Sequence, residues 1–297
     1  MAPELLLILL LLALGWLARR LGRFPPYASD VLNRFVIDLC VPAVVLRLVP
    51  KLEFQASLIV LIATPWLLAL VALLIVRVAS RRLELDRATE AVLFLCLALG
   101  NTSFLGFPLC SALLGEASLT YAAVYDQIGS FLLLSVVAPV IIARAAGGAT
   151  PSARETAWRV VTFPPFIALT LALLPLPRPD FLDAVLKPIA SCLVPVALFA
   201  VGLRLRITPP RELSAFALAL GAKLGLFPLL AWGIALLFDP PRAVFEVVVL
   251  ESAMPAMITA GALAMAAGLA PELAAALVGW GVLAALITVP AWAALLR

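Results

Sequence analysis

Apolar and polar positions alternate along the chain on one scale: about twenty apolar residues, then a short polar break. A bilayer core of about 30 Å takes roughly 20 residues of helix. That ruler divides the chain into ten segments, near 4–20, 29–48, 56–79, 88–114, 118–144, 156–175, 181–203, 212–237, 243–268 and 271–296. The breaks are "RFPPYASD", "PKLEFQ", "SRRLELDR", "GGATPSARE", "LPRPD", "RITPPRE", "FDPPR" and "GLAPE", rich in residues that end helices. The pattern predicts an all-α integral membrane protein.

Two segments are not uniformly apolar. The fourth holds "GNTSFLGFP", Gly100 to Pro108, and the ninth holds "ESAMPAMITAG", Glu251 to Gly261. A lone mid-segment proline reads as a packing kink, and Pro65, Pro139 and Pro228 are read that way. A cluster of glycines, polar side chains and a proline does more: it breaks the helix. Irregular backbone at membrane depth survives only where protein or a water-filled cavity surrounds it.

The second and seventh segments echo each other, "VIDLCVPAVVLRL" against "IASCLVPVALFAVGLRL", with Pro42 and Pro195 in mid-segment. Five segments per half is an odd number, so the second half enters from the opposite side. The expectation is ten transmembrane helices as two inverted five-helix repeats, 1–148 and 149–297, with helices 4 and 9 broken and crossing. Interrupted helices at matching places in inverted halves are a pointer to a transporter's binding site.

Composition excludes a soluble domain, because only 13% of residues are charged and 65% are hydrophobic. The arginines and lysines set an orientation. Arg19, Arg20, Arg23, Arg34, Arg77, Arg81, Arg82, Arg87, Arg144, Arg154, Arg159, Arg204, Arg206 and Arg211 follow odd-numbered segments. Arg47, Lys51, Arg178, Lys187, Arg242 and Arg297 follow even-numbered ones. Fourteen against six places the first set in the cytoplasm and both termini outside. The opening "MAPELLLILLLLALGWLARR" carries its arginines after the apolar run, the reverse of a signal peptide, and reads as a retained first span.

Other chemistry narrows quickly. There is no histidine, so a proton must ride on a carboxylate. Cys40, Cys96, Cys110 and Cys192 lie in apolar segments without metal-ligand spacing and read as small buried residues. The HExxH, GxSxG and GxxxxGK[ST] patterns are absent, which argues against an enzyme and against an ATP-driven pump. No nucleic-acid partner is indicated.

Four ionisable residues lie inside segments, and each is a functional candidate by its cost. Glu251, at the ninth-segment break beside Ser252, suits a cation or a proton; the competing reading pairs it with Lys223. Asp126 and Gln127 carry the coupling charge in one reading. In the other, with Tyr121 and Tyr125, they mark a helix end at the interface. Lys223 contacts a solute carboxylate or neutralises Glu251 or Asp126, and a pair is expected because burial disfavours a lone ammonium. Asp38 braces Arg34 one turn earlier. Hydroxyls such as Ser103, Ser130 and Ser252 often satisfy helix backbone and mean little singly.

A broken helix exposes N–H groups with partial positive charge, which suit an anion. Asn101, Thr102, Ser103, Gly106 and Pro108 on one side, Ser252 and Pro255 on the other, and Lys223 form the expected substrate site.

"ALGNTSFLGFPLCSALLGE", "AVYDQIG" and "SAMPAMITAGALAMAAGLAPELAAALVGWGVLAALITVPAW" resemble the auxin efflux carrier family, which is similar to the sodium–bile acid symporters. The resemblance covers essentially the whole chain. It implies a scaffold domain and a transport domain moving elevator-style. Plant members export auxin, and bacterial members move small carboxylates such as malate or malonate. The short "ARAAGGATPSARE" between the fifth and sixth segments is the bacterial form, which implies the inner membrane. Related symporters ligate sodium with a Glu at the ninth-helix break. Where they offer hydroxyls on helix five, this chain has Asp126 and Gln127, so the coupling ion stays open between Na+, H+ and none. No resident cofactor or metal is expected. The expected partners are a small organic anion, membrane lipid and, as an option, a second copy of the chain. The alternative is a membrane receptor that binds the anion without moving it.

Overall fold

The computed structural model describes residues 3–52, 55, 58–177, 179, 181–210 and 212–297. Arg178 and Arg211 of the charge tally, and the expected start of the third segment at 56–57, lie outside the described residues.

The described residues form helices and no strand. Helix α1 is Pro3–Arg20. Helices α2 (Ala28–Phe35) and α3 (Val41–Leu48) join through a π-helical turn, Val36–Cys40. Helix α4 is Ile59–Leu83. Helix α5 (Arg87–Ala98) stops at an extended stretch, and the chain resumes as a π turn, Thr102–Gly106, leading into α6 (Phe107–Leu114). Helices α7 (Ser118–Tyr125) and α8 (Ala138–Ala146) enclose two π turns, Asp126–Ser130 and Leu133–Val137. Then come α9 (Ala153–Val161), α10 (Pro164–Leu173), α11 (Phe181–Ser191) and α12 (Leu193–Arg204). Helices α13 (Leu213–Gly221) and α14 (Phe227–Phe238) flank a fifth π turn, Ala222–Leu226. Helices α15 (Arg242–Ser252) and α16 (Ile258–Ala266) are separated by a second interruption, and α17 (Pro271–Leu295) closes the chain.

Among the described residues, five rods are long and apolar enough to cross a bilayer: Ile59–Leu83, Ser118–Ala146, Phe181–Arg204, Leu213–Phe238 and Pro271–Leu295. The chain is thus an integral membrane protein. The sixth expected segment is not a straight span, for α9 and α10 meet at 67°. Phe163 precedes Pro164, and the residue before a proline is pushed out of the helical region; Phe163 is extended, with φ −74° and ψ 119°. A reciprocal cap, Ser152 with Glu155, starts α9.

The π turns have a cause in the sequence. Four of the five end two residues before a proline: Cys40 before Pro42, Gly106 before Pro108, Val137 before Pro139 and Leu226 before Pro228. A helical proline lacks an N–H and its ring crowds the carbonyl four residues back. Widening one turn relieves that contact and frees the carbonyl. Four residues before Pro228, the Leu224 carbonyl accepts from the Trp292 indole at 2.9 Å. Three of the four ionisable residues singled out above, Asp38, Asp126 and Lys223, sit in such turns.

The packing is reciprocal between the halves. Helix α1 lies on α12, and α10 lies on α3. Helix α4 packs on α5 as α14 packs on α15, and α6 on α7 as α16 on α17. Helices α1 and α12 cross at Gly15 and Gly202, where an added Cβ would strike the facing backbone; small residues permit close helix approach in lipid. Outward leucines such as Leu6, Leu10, Leu14 and Leu17 on α1 match an acyl-chain environment.

Candidate functional site

The two interruptions meet. The extended stretch after α5 and the one after α15 run antiparallel, with Gly100 opposite Ala256. The Asn101 N–H donates to the Pro255 carbonyl at 2.8 Å, and the Met257 N–H donates to the Leu99 carbonyl at 2.9 Å. Each break therefore satisfies backbone groups of the other, which is how non-helical backbone persists away from water. Asn101 and Ala256 are buried on this crossing.

Asp126 is the acceptor hub beside it. Thr102 Oγ1 donates to Asp126 Oδ1, Ser103 Oγ donates to the same oxygen at 2.6 Å, and Gln127 Nε2 donates to Oδ2 at 2.7 Å. The hydroxyls of Thr102 and Ser103, expected to face a solute, are directed at this carboxyl instead. Asp126 and Tyr125 are 2% and 3% exposed, so this is a buried centre and the helix-end reading is set aside.

Glu251 is equally buried and differently served. Its Oε1 accepts from Cys110 Sγ at 3.5 Å, and its Oε2 has no partner. Gly106 lies against it so closely that a Cβ there would collide with the carboxylate. Glu251 and Asp126 are near enough to interact electrostatically.

The expected pair between Lys223 and a carboxylate is not formed. Lys223 Nζ donates to the Leu97 carbonyl at 2.8 Å and lies 5.2 Å from the Phe227 ring centroid. Helix α5 ends at Ala98, so its last carbonyls lack helical partners and carry the negative end of the dipole. Breaking the helix thus created the lysine's partner. Ser252 also turns inward, its hydroxyl donating to Val249 O at 2.7 Å. Pro108 lies inside the continuous helix Thr102–Leu114, directly after its π turn. Asp38 lies on an exposed flank, 3.6 Å from Arg34 as expected.

Lys223, Glu251, Thr102, Tyr125, Ser130 and Gly100 surround one small cavity with room for about one water. Three buried polar atoms of the site have no partner: Asn101 Nδ2, a donor, and Gln127 Oε1 and Glu251 Oε2, acceptors. Buried polar atoms are normally satisfied. A leftover donor suits an anion, and leftover acceptors suit a cation or a proton-bearing group. Among the described residues no group of three or more His, Cys, Asp or Glu could hold a metal ion.

Sequence reasoning missed Cys110 and Tyr125 as members of the site, and it discounted Ser130. Cys110 carried no signal beyond its place four residues after Gly106. Ser130 did carry one, lying four residues after Asp126.

Two interrupted helices whose unwound segments bind each other, inside an apolar helical bundle, define a membrane protein with a polar centre built from backbone ends. A family model described as "Membrane transport protein" matches residues 2–293, and the chain belongs to that family. This is the auxin efflux carrier family whose motifs the sequence resembles. The chain is 26% identical over 296 residues to an "Uncharacterized transporter" of Methanothermobacter thermautotrophicus, covering 97% of this chain and 96% of that one. It is 29% identical over 238 residues to a "Putative malonate transporter" of Rhizobium meliloti, covering 75% and 72%. The protein is a membrane transporter, and the names of its relatives indicate transport and not catalysis.

Proposed function

We propose that the protein is a secondary transporter of a small carboxylate, working by elevator-type alternating access with the solute bound where the two interrupted helices cross. The observation that carries this reading is the antiparallel pairing of Leu99–Asn101 with Pro255–Met257, beside which the side-chain Nδ2 of Asn101 is buried and unpartnered. The N-termini of the helical segments starting at Thr102 and Ile258 offer partial positive charge to a carboxylate. Lys223 has further N–H donors beyond the one on Leu97. The relative named for malonate supports a small organic anion.

In this reading the ten helices form two inverted halves, 1–148 and 149–297, and the reciprocal packing of α1 on α12 and α10 on α3 supports it. Helices α1 to α3 and α9 to α12 are the scaffold, and the rest carry the site. A cavity for one water is too small for a carboxylate, so loading requires the residues around the crossing to move apart. Glu251 and Asp126 bear the coupling charge, with Na+ or H+ as the cation. The termini lie outside, in a bacterial inner membrane. The assembly is either a monomer or a homodimer.

The test is uptake of radiolabelled malonate into proteoliposomes, with and without a sodium gradient and across pH. Asn101→Ala and Glu251→Gln should each cut uptake at least tenfold. Undiminished flux in both would remove the site. Binding with no flux in the native protein would favour the receptor reading.

A further inference from the structure

A second cavity, of about 470 Å³, lies among α4, α5 and α8 and shares no lining residue with the crossing. Arg77, Arg81, Arg87 and Arg144 line it, brought from three helices to one place. Among the described residues no carboxylate lies within ion-pair distance of any of the four, whereas Arg47, Arg204 and Arg242 elsewhere all have acidic partners. One acid, Glu90, shares the cavity and accepts from Ser80 Oγ. Four guanidinium groups against one carboxylate leave the cavity strongly cationic. Its inner wall is apolar, with Phe94 and Ile141.

A cationic rim over an apolar wall fits an amphiphile more closely than it fits a bare ion. Leu67, Leu70, Leu74 and Val78 are exposed and recur every three or four residues, so they form one outward stripe on α4. Arg77 and Arg81 stand three and seven residues beyond Leu74, next to the top of that stripe. A stripe of this kind suits acyl chains, and it ends beside the arginines. Arginine is the side chain best matched to phosphate oxygens, through paired N–H donors.

We propose that this cavity binds a phosphate-bearing anion, whose source is the headgroup of an anionic glycerophospholipid with its chains along α4. Basic pockets between membrane helices are established headgroup sites in general. The lining arginines all belong to the set that the charge asymmetry assigns to the cytoplasmic side. The site stands on helices that carry the crossing, so lipid occupancy would brace α4, α5 and α8 as one body. It does not depend on the identity of the transported solute.

Purified protein in detergent is titrated separately with phosphatidylglycerol, phosphatidylcholine and glycerol phosphate, and the thermal midpoint is read. Phosphatidylglycerol should raise the midpoint and phosphatidylcholine should not. The double variant Arg77→Gln with Arg144→Gln should need roughly tenfold or more phosphatidylglycerol for the same shift. Arg82→Gln, outside the lining, should behave as the native chain, and the paired lysine substitutions should retain part of the response if glutamine impairs folding. An equal shift from glycerol phosphate would support the phosphate site and assign it to a soluble source. Equal response to both lipids with none to glycerol phosphate, or an unchanged response in the double variant, would overturn the proposal.

Discussion

Arg47 of α3 grips Glu116, in the connection between α6 and α7, with Nη1 to Oε1 at 3.1 Å. Its Nε donates at the same time to Asp183 of α11 at 3.0 Å. The guanidinium side chain is 9% exposed, while Glu116 and Asp183 are 63% and 54% exposed. Asp183 belongs with Arg47 to the proposed scaffold, and Glu116 belongs to the moving group. The Arg47–Glu116 pair is therefore a contact that sliding must break. An exposed pair is worth about 0.2–1 kcal/mol, so Glu116→Gln should raise the open fraction by about 1.4-fold to 5-fold. Alkylation of Cys110, buried beside Glu251, reports the opening when its peptide is followed by mass spectrometry. Asp183→Asn should change it less. Identical alkylation in Glu116→Gln and native protein would mean the pair does not latch the two groups.

Asp86 caps α5 outside the apolar segments. Its Oδ1 accepts the Thr89 N–H at 2.7 Å, and that hydrogen bond holds the carboxyl below its ordinary value of 3.8. A carboxyl depressed on folding stabilises the fold above its unfolded pKa, and the contribution is lost as pH falls through the folded one. Asp86→Ala should cost about 1 kcal/mol at pH 7. Because the group is exposed to solvent, the pH-dependent share is a fraction of that figure. The gap in thermal midpoint between variant and native protein should narrow below about pH 4. A gap that is constant from pH 7 to pH 3 would show that Asp86 contributes nothing through its charge.

The helices and both interruptions were legible because glycine and proline act locally: "GNTSFLGFP" and "ESAMPA" break a helix whatever surrounds them. The π turns left a trace, since four of them end two residues before Pro42, Pro108, Pro139 and Pro228, yet Pro139 and Pro228 read as plain kinks, Pro108 as part of the break and Pro42 as an echo of Pro195. The partners of the charges were not legible. Lys223 takes a backbone carbonyl, Leu97, whose availability depends on α5 ending near it in space. Thr102 and Ser103 take Asp126, twenty-odd residues away on a neighbouring helix. Pairing by approach of distant segments leaves no periodic trace in one sequence, and the bend at Phe163 showed only as the dipeptide Pro164-Pro165.

Gly106 separates packing from chemistry. A Cβ added there meets the end of the buried Glu251 side chain, which must shift to make room. Gly106→Ala should cost about 1–3 kcal/mol by overpacking and displace Glu251 from Cys110. Gly225 lies in a π turn with open space around it, so Gly225→Ala should be neutral or stabilising by up to about 1 kcal/mol. Thermal midpoints of the two variants, with malonate uptake on the same preparations, give the comparison. Equal stability and equal uptake would show that the Gly106 contact with Glu251 does not constrain the site.

Asn101 offers the sharpest division between stability and function. Its backbone N–H belongs to the crossing, but its side-chain Nδ2 is buried without an acceptor. An unsatisfied buried donor carries a penalty of about 1–3 kcal/mol, which truncation removes. The backbone bond to Pro255 survives replacement by alanine, because it uses only the main chain. Asn101→Ala should therefore melt at the same temperature as the native protein or higher, while malonate uptake falls at least tenfold. Asn101→Asp keeps the shape but replaces the donor with an acceptor, and it should lose uptake while gaining no stability. A residue held for structure would show the opposite order, with Asn101→Ala less stable and its residual folded fraction fully active. Initial uptake rates normalised to folded protein, read beside the melting curves, distinguish the two.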